Sequence, residues 1–166
     1  MNLIVATSKN NVIGNNGIMP WSIKKDLQYF KSTTLNQIVI MGRKTFKSLN
    51  FKPLKDRINI IITKNQEKIK LEYNLFATTF ENLDNILDLI NHNNQYKVFV
   101  IGGEQIYNLL LDRCQYIYLT YINKEFEGDT YFNISLDNYE LESESQYFIE
   151  NNNVFNFKIF HKVKII

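Results

Sequence analysis

The sequence predicts an α/β fold: a single domain, residues 1–166, with a mixed, mainly parallel β-sheet flanked by helices on both faces and a C-terminal antiparallel hairpin. Two observations carry this. Short, continuous β-branched runs recur along the first two thirds, separated by stretches of helical periodicity, as expected of strands buried on both faces and joined by crossover helices. The last third instead alternates apolar and polar residues around polar turns, as antiparallel strands do.

In chain order, "LIVA" (3–6) is the first run. Ile23, Leu27 and Phe30 then recur at i, i+4 and i+7, a helical stripe in "IKKDLQYFK". "IVIM" (38–41), "INIII" (58–62) and "VFVI" (98–101) are the other three runs. Leu83, Ile86, Leu87 and Ile90 mark a second helix, with Thr78 and Glu81 spaced as a capping box. Ile106, Leu109 and Leu110 mark a third, directly after Gly102 and Gly103. "QYIYLTYI", "YELESESQYFI" and "VFNFKIFHKVKII" alternate, the last two separated by the polar turn "ENNN" (150–153).

Composition narrows the function classes. Hydrophobic residues make up 45% and charged residues 22%, which is globular, and 19 Lys+Arg against 17 Asp+Glu leave a net charge of +2. That bias is too weak for a nucleic-acid or membrane surface, so small basic pockets are expected instead. Cys114 is the one cysteine and allows neither an internal disulfide nor a zinc pattern. No apolar run approaches the ~20 residues of a membrane helix. The expectation is a soluble cytoplasmic protein without a metal site.

Asp26 falls on the same helical face as Ile23 and Phe30. A carboxylate on an apolar face is either at the polar margin of an amphipathic helix or aimed at a partner that a buried charge requires. Two strand-to-helix joints are candidate anion sites. Gly42 ends one strand before Arg43, Lys44 and Thr45, and Gly102-Gly103 ends another before the third helix. Neither matches the G-x-G-x-x-G or P-loop pattern. Two such joints at strand carboxyl ends suit a dinucleotide laid across the sheet edge. Arg57, before "INIII", is either an exposed cation or a fork for a carboxylate.

The blocks "VIGNNGIMPWSIKKDLQYFK", "VIMGRKTFKSL", "VIGGEQIY", "YLTYI" and "EFEGDTYF" stand in the order and spacing of bacterial-type dihydrofolate reductase, which the chain resembles from Met1 to about Phe132. The resemblance implies NADPH-dependent reduction of 7,8-dihydrofolate, with hydride transfer to pterin C6 and protonation at N5. It implies dihydrofolate and antifolate inhibitors as ligands, no nucleic-acid or membrane partner, and a monomer. Asp26 is then the acid that binds the pterin ring N–H and 2-amino group. Thr120 is its hydrogen-bond partner, Tyr107 the tyrosine beside the nicotinamide, and Met19 and Trp21 flank the site. Ile4, Val5, Ala6, Leu27, Phe30, Leu49, Leu54 and Ile101 are implied as apolar walls, with Arg57 and Lys52 for the substrate's carboxylates.

For the cofactor, the resemblance assigns Ala6, Ile13 and Gly14 near the nicotinamide and Gly42, Arg43, Lys44 and Thr45 to the first phosphate joint. Gly102, Gly103, Glu104, Gln105 and Ile106 form the second, with Thr63 and Lys64 at the adenosine 2′-phosphate. It also implies a cis Gly102-Gly103 peptide, a mobile loop over residues 8–21, and Asp129 bonding that loop's backbone. Glu104 and Gln105 depart from the family's usual glycine and arginine, which weakens the case for tight 2′-phosphate binding; Lys44 and Lys64 are candidates to compensate. Alternative readings are another pyridine-nucleotide reductase on this fold, of the riboflavin-pathway type, or a catalytically silent ligand-binding homologue. The first would not need Asp26 after a Pro-Trp loop.

Overall fold

The computed structural model describes residues 1–163, so the last three residues of "VFNFKIFHKVKII" lie outside it. In chain order the elements are β1 (Asn2–Ser8), β2 (Val12–Gly14), α1 (Lys24–Thr34), β3 (Ile38–Gly42), α2 (Arg43–Ser48) and β4 (Ile58–Ile62). Then come β5 (Leu75–Thr78), α3 (Leu83–Asn91), β6 (Val98–Gly102), α4 (Glu104–Leu110) and β7 (Tyr116–Ile122). The chain finishes with β8 (Thr130–Tyr131), β9 (Tyr139–Glu144), β10 (Phe148–Glu150) and β11 (Asn153–Lys162).

The main sheet has the order β10-β11-β7-β1-β6-β3-β4-β5, with β9 also paired to β11. From β7 across to β5 neighbouring strands are parallel. Antiparallel pairing is confined to β11 with β7, β9 and β10. The β-branched runs are central strands because helices cover both faces. Leu3, Ile38, Ile40, Ile60 and Val100 point to one side, against Leu83 of α3 and Ile106 and Leu110 of α4. Ile4, Val39, Met41, Ile61 and Phe99 point to the other, where Phe46 of α2 and Tyr29 and Phe30 of α1 pack. Period-two alternation of two apolar sets, rather than apolar against polar, is what made these runs continuous in sequence. The predicted mixed sheet with flanking helices is therefore the observed one.

Four details differ from expectation. β7 alternates in sequence yet runs parallel to β1 over its whole length. Its alternation reports unequal cover on its two faces, buried at Ile117 and Leu119 and open at Tyr116, and says nothing about strand direction. Leu27 does not join the core: it is 53% exposed, while Asp26 beside it is 7% exposed. Thr78 and Glu81 form no capping box, because Thr78 ends β5 and bonds the Thr79 carbonyl, and α3 starts only after Asn82. Finally, β5 and the small β2–β8 ribbon were not anticipated; they are too short for a periodic signal.

The polar turn between β10 and β11 is as expected, with Asn151 and Asn152 at φ 49 and 60. Asparagine tolerates that left-handed region better than most side chains.

Candidate active site

Asp26 lies in the first turn of α1, and its carboxylate is buried beneath β7. Thr120, at the centre of β7, donates from Oγ1 to Asp26 Oδ1 at 2.7 Å. Burial raises the acid's pKa above its ordinary value of 3.8, and the Thr120 hydrogen bond opposes this in part. The carboxyl is thus held in place by one oxygen, leaving the other for an incoming donor. Ile23 immediately before the helix is buried, as is Trp21, so the chain enters α1 anchored on apolar side chains.

The start of α1 has no side-chain cap of its own. Glu150, from the β10–β11 turn, supplies one: its carboxylate accepts the backbone N–H of Lys24 at 2.5 Å and of Lys25 at 3.2 Å. Asn151 adds a bond from Nδ2 to the Ser22 carbonyl, and Lys25 Nζ sits 4.2 Å from the Phe148 ring centroid. Nothing local to α1 signals this cap, so the sequence reading missed it.

Residues 8–21 fold back against the strand-like segment that follows β7. β2 pairs with β8, Asp129 accepts the Asn16 N–H on Oδ2 at 3.1 Å, and the Asp129 N–H donates to the Gly14 carbonyl at 3.1 Å. Those backbone and hydroxyl donors hold the Asp129 carboxyl below its usual range. Asn10 clasps the same segment at Phe126 through both its amide oxygen and nitrogen. Trp21 meets Phe126 edge to face at 5.4 Å, and its indole N–H is buried without a hydrogen-bond partner among the described residues. Met19 is 45% exposed, at the outer rim.

Ile4, Phe30, Leu49, Leu54 and Ile101 come together on the α1 side of the sheet, as the implied apolar wall requires. The β1 pleat turns the Val5 side chain to the opposite face, among Ile40 and Val100. Ala6 packs instead beside Trp21 and Ile23. Leu27 offers exposed apolar surface next to the acid rather than core packing. Tyr29 stacks on Phe157 at 4.1 Å, and burial pushes its hydroxyl up to about 12.

Arg57 is buried, so it is not the exposed cation of the first sequence reading. Its Nε donates to the Lys55 carbonyl at 2.9 Å and its Nη1 to Thr34 Oγ1 at 3.2 Å. Burial lowers its pKa, and Asp56 works against that shift. Among the described residues it forms no ion pair, so a guanidinium with two of five N–H groups engaged keeps three for a carboxylate. Lys52 stands exposed nearby in sequence, without an ion pair among the described residues.

The two joints lie side by side, because β3 and β6 are neighbours and Met41 pairs with Gly102. Gly42 and Gly103 are the N-cap residues of α2 and α4, and neither helix start has a side-chain cap. A Cβ on Gly103 would meet Thr45 Oγ1 at 3.5 Å, so the joints face each other. Gly102 has φ +118, and a Cβ there would press on the Tyr107 hydroxyl at 3.2 Å. The Gly102-Gly103 peptide is cis, as implied. Uncapped N–H groups at two helix starts, with exposed Arg43 and Lys44 beside them, suit the phosphates of a dinucleotide. Thr63 and Lys64 follow β4, whose Ile62 pairs with Gly42, so they extend the same row of strand ends. Glu104 is half-buried and Gln105 exposed, while Ile106 packs against Gly42. Ile13 and Gly14 lie in β2, half-buried.

Tyr107 is buried, and its hydroxyl donates to the Ile4 carbonyl at 2.7 Å. Burial first, and the Asp26 charge second, raise its pKa. A hydroxyl so engaged acts as a strut between β1 and the Gly102 joint, not as a free acid. Among the described residues no group of three or more His, Cys, Asp or Glu side chains is placed to hold a metal ion. Among the described residues no helix is long and apolar enough to cross a membrane.

A mainly parallel sheet with two glycine joints at adjoining strand ends, and one buried acid on the helix beside them, has the layout of a dinucleotide-dependent α/β enzyme. Comparison with known proteins narrows the class. A family model described as dihydrofolate reductase matches residues 1–164. Dihydrofolate reductase of Buchnera aphidicola (from Acyrthosiphon pisum) is 39% identical over 132 residues, which cover 80% of this chain and 78% of that one. The Lactococcus lactis enzyme of the same name is 33% identical over 165 residues, 97% of this chain and 96% of the other. The bifunctional dihydrofolate reductase-thymidylate synthase of Paramecium tetraurelia is 38% identical over 133 residues, but this chain spans only 28% of its length. Among solved structures, dihydrofolate reductase from Enterococcus faecalis complexed with NADP(H) and RAB-propyl superposes with a TM-score of 0.82 at 27% identity, over 97% of this chain and 95% of that one. The chain belongs to the dihydrofolate reductase family.

Proposed function

We propose that the chain reduces 7,8-dihydrofolate to 5,6,7,8-tetrahydrofolate with NADPH, acting as one monomeric domain in the cytoplasm. The observation that carries this reading is the buried Asp26, fixed on one oxygen by Thr120 and open on the other. A pterin ring presents an N–H and a 2-amino group side by side, which are donors of the kind such a carboxylate needs. Exposed Leu27 and the cluster of Ile4, Phe30, Leu49, Leu54 and Ile101 then cover the rest of the ring and the benzoyl group. Arg57, with three N–H groups free, takes the tail carboxylate, and Lys52 adds positive charge.

NADPH supplies the hydride taken up at pterin C6. The residues present fit it: two uncapped helix starts, Arg43, Lys44 and Thr45 for the phosphates, and Lys44 with Lys64 for the 2′-phosphate in place of the missing arginine. The chain's own part is alignment and dryness. Asp26 orients the ring and polarises it; water brings the proton to N5, completing one hydride plus one proton for each ring reduced. The loop of residues 8–21, tied down by Asp129, closes the cleft over the reacting edge. Antifolates that mimic the pterin donors compete for Asp26.

The test follows loss of reduced-nicotinamide absorbance with dihydrofolate, using wild type and Asp26→Asn. Folate-dependent oxidation that falls at least about 100-fold in the variant at neutral pH is expected, within the usual range for losing a preorganised group that orients and polarises the reacting ring. Wild type without turnover overturns the reading.

A further inference from the structure

Behind the 54–57 turn, between β4 and the start of β5, lies a buried amide network that no catalytic role explains. Asn59, in β4, is fully buried, an asparagine inside an otherwise aliphatic run. Its Oδ1 accepts the Leu54 N–H at 2.9 Å. Its Nδ2 faces the carbonyls of Leu54 at 3.0 Å, Arg57 at 3.1 Å and Asn74 at 3.4 Å. One side chain therefore closes both ends of the 54–57 turn, substituting for backbone bonds that β4 cannot supply there.

Asn74 works from the other side. It immediately precedes β5, its backbone carbonyl accepts the Asn59 N–H at 2.8 Å, and its Nδ2 donates to the Arg57 carbonyl at 3.3 Å. The Arg57 carbonyl thus receives two side-chain amides, one from each neighbouring segment. Asp56, just before it, has φ 59, so the turn is not the relaxed choice of a free chain. The guanidinium itself leans on the turn, through Nε to the Lys55 carbonyl.

We infer that Asn59 and Asn74 are positioning residues that form an amide clasp on the Arg57 carbonyl and so set the reach of the Arg57 guanidinium toward the carboxylate of the substrate's tail. The inference rests on the proposed reduction of dihydrofolate. Arginine recognises a carboxylate by a planar fork, and a fork is more sensitive to placement than a point charge. The clasp acts on the backbone that carries this fork and on Leu54. It makes no contact with Asp26, whose partner is Thr120. Its loss separates recognition of the tail from chemistry at the ring.

The experiment compares kcat and KM for dihydrofolate and for a 6-methyl-7,8-dihydropterin, which has the ring and lacks the tail. Wild type, Asn59→Leu, Asn74→Ala, Arg57→Leu and the double variant Arg57→Leu/Asn74→Ala are measured. Asn74→Ala removes one buried hydrogen bond and is expected to raise KM for dihydrofolate roughly fivefold. Its kcat stays within about twofold, and its constants for the tail-less pterin do not change. In the Arg57→Leu background the same substitution adds nothing, since the group it positions is gone. Asn74→Ala, next to the edge strand, decides the matter even where Asn59→Leu fails to fold. Equal losses on both substrates, no loss on either, or an additive double variant would each overturn the clasp. Wild type inactive on both substrates overturns the function reading itself, an outcome distinct from these.

Discussion

Thr120 Oγ1 and Asp26 Oδ1 meet at 2.7 Å across 94 residues of sequence, joining the centre of β7 to the first turn of α1. The hydroxyl bonds the charged form of the acid, while burial favours the neutral form and dominates. Replacing Thr120 with Val removes the opposing influence. The Asp26 titration midpoint is expected to move further upward, read by carboxyl-carbon NMR of the ligand-free protein. A midpoint unchanged or lowered would contradict the assignment.

Burial of Asp26 also links stability to pH. Its folded pKa lies above 3.8, so the folded state holds the proton more tightly than the unfolded one. Well below 3.8 both states are protonated and the acid costs nothing extra. As pH rises through the folded pKa the penalty develops, and above it the penalty is complete. Asp26→Asn is therefore expected to stabilise the protein at neutral pH, with the gain fading in acid. Urea unfolding at several pH values checks it, and a gain independent of pH would not fit.

Glu150 caps a helix that has no cap of its own. Glu150→Ala is expected to cost about 1 kcal/mol of unfolding free energy, the usual loss for a helix N-cap. Glu150→Gln, which keeps one acceptor, loses less. Denaturant titration of the three proteins orders them.

Gly128 leaves no room for a side chain: a Cβ there would collide with Val12 Cγ1 and come 2.7 Å from the Gly14 carbonyl. Gly128→Ala is expected to cost about 1–3 kcal/mol, as overpacking does, and to lift residues 8–21 off their dock. Trp21 is the one tryptophan, 5.4 Å from Phe126, so its fluorescence reports the change directly. A spectrum identical to wild type would show that the loop stays docked.

Sequence and structure agree where one residue carries its own signal. The four buried runs are legible because strands covered on both faces have nowhere to place a polar residue, save Asn59. Asp26 is legible as an acid on an apolar face, and Gly42 and Gly102-Gly103 as joints where side chains would intrude. What escapes is non-local. The Glu150 cap arises from a residue 126 positions from the N–H that donates to it, and the direction of β7 is set by its neighbour β1, not by its own pattern. Leu27 shares the helical period of the core yet stands open, because periodicity reports which face of the helix a residue lies on and not whether that face is covered. Asn59 did leave a mark, a lone amide in "INIII", and a buried amide always requires an account of its bonds.

The capping of α1 by the β10–β11 turn has a consequence for biosynthesis. Synthesis is vectorial, and domains settle as units while the chain is made, at roughly 5–20 residues each second. The segment bearing Asp26 leaves the ribosome several seconds before Glu150 does on that scale. Through that interval the first turn of α1 lacks its cap and β7 lacks its outer neighbour β11. Asp26 is thus seated by a segment made well after its own helix, and a nascent chain halted before residue 150 carries Asp26 without that support.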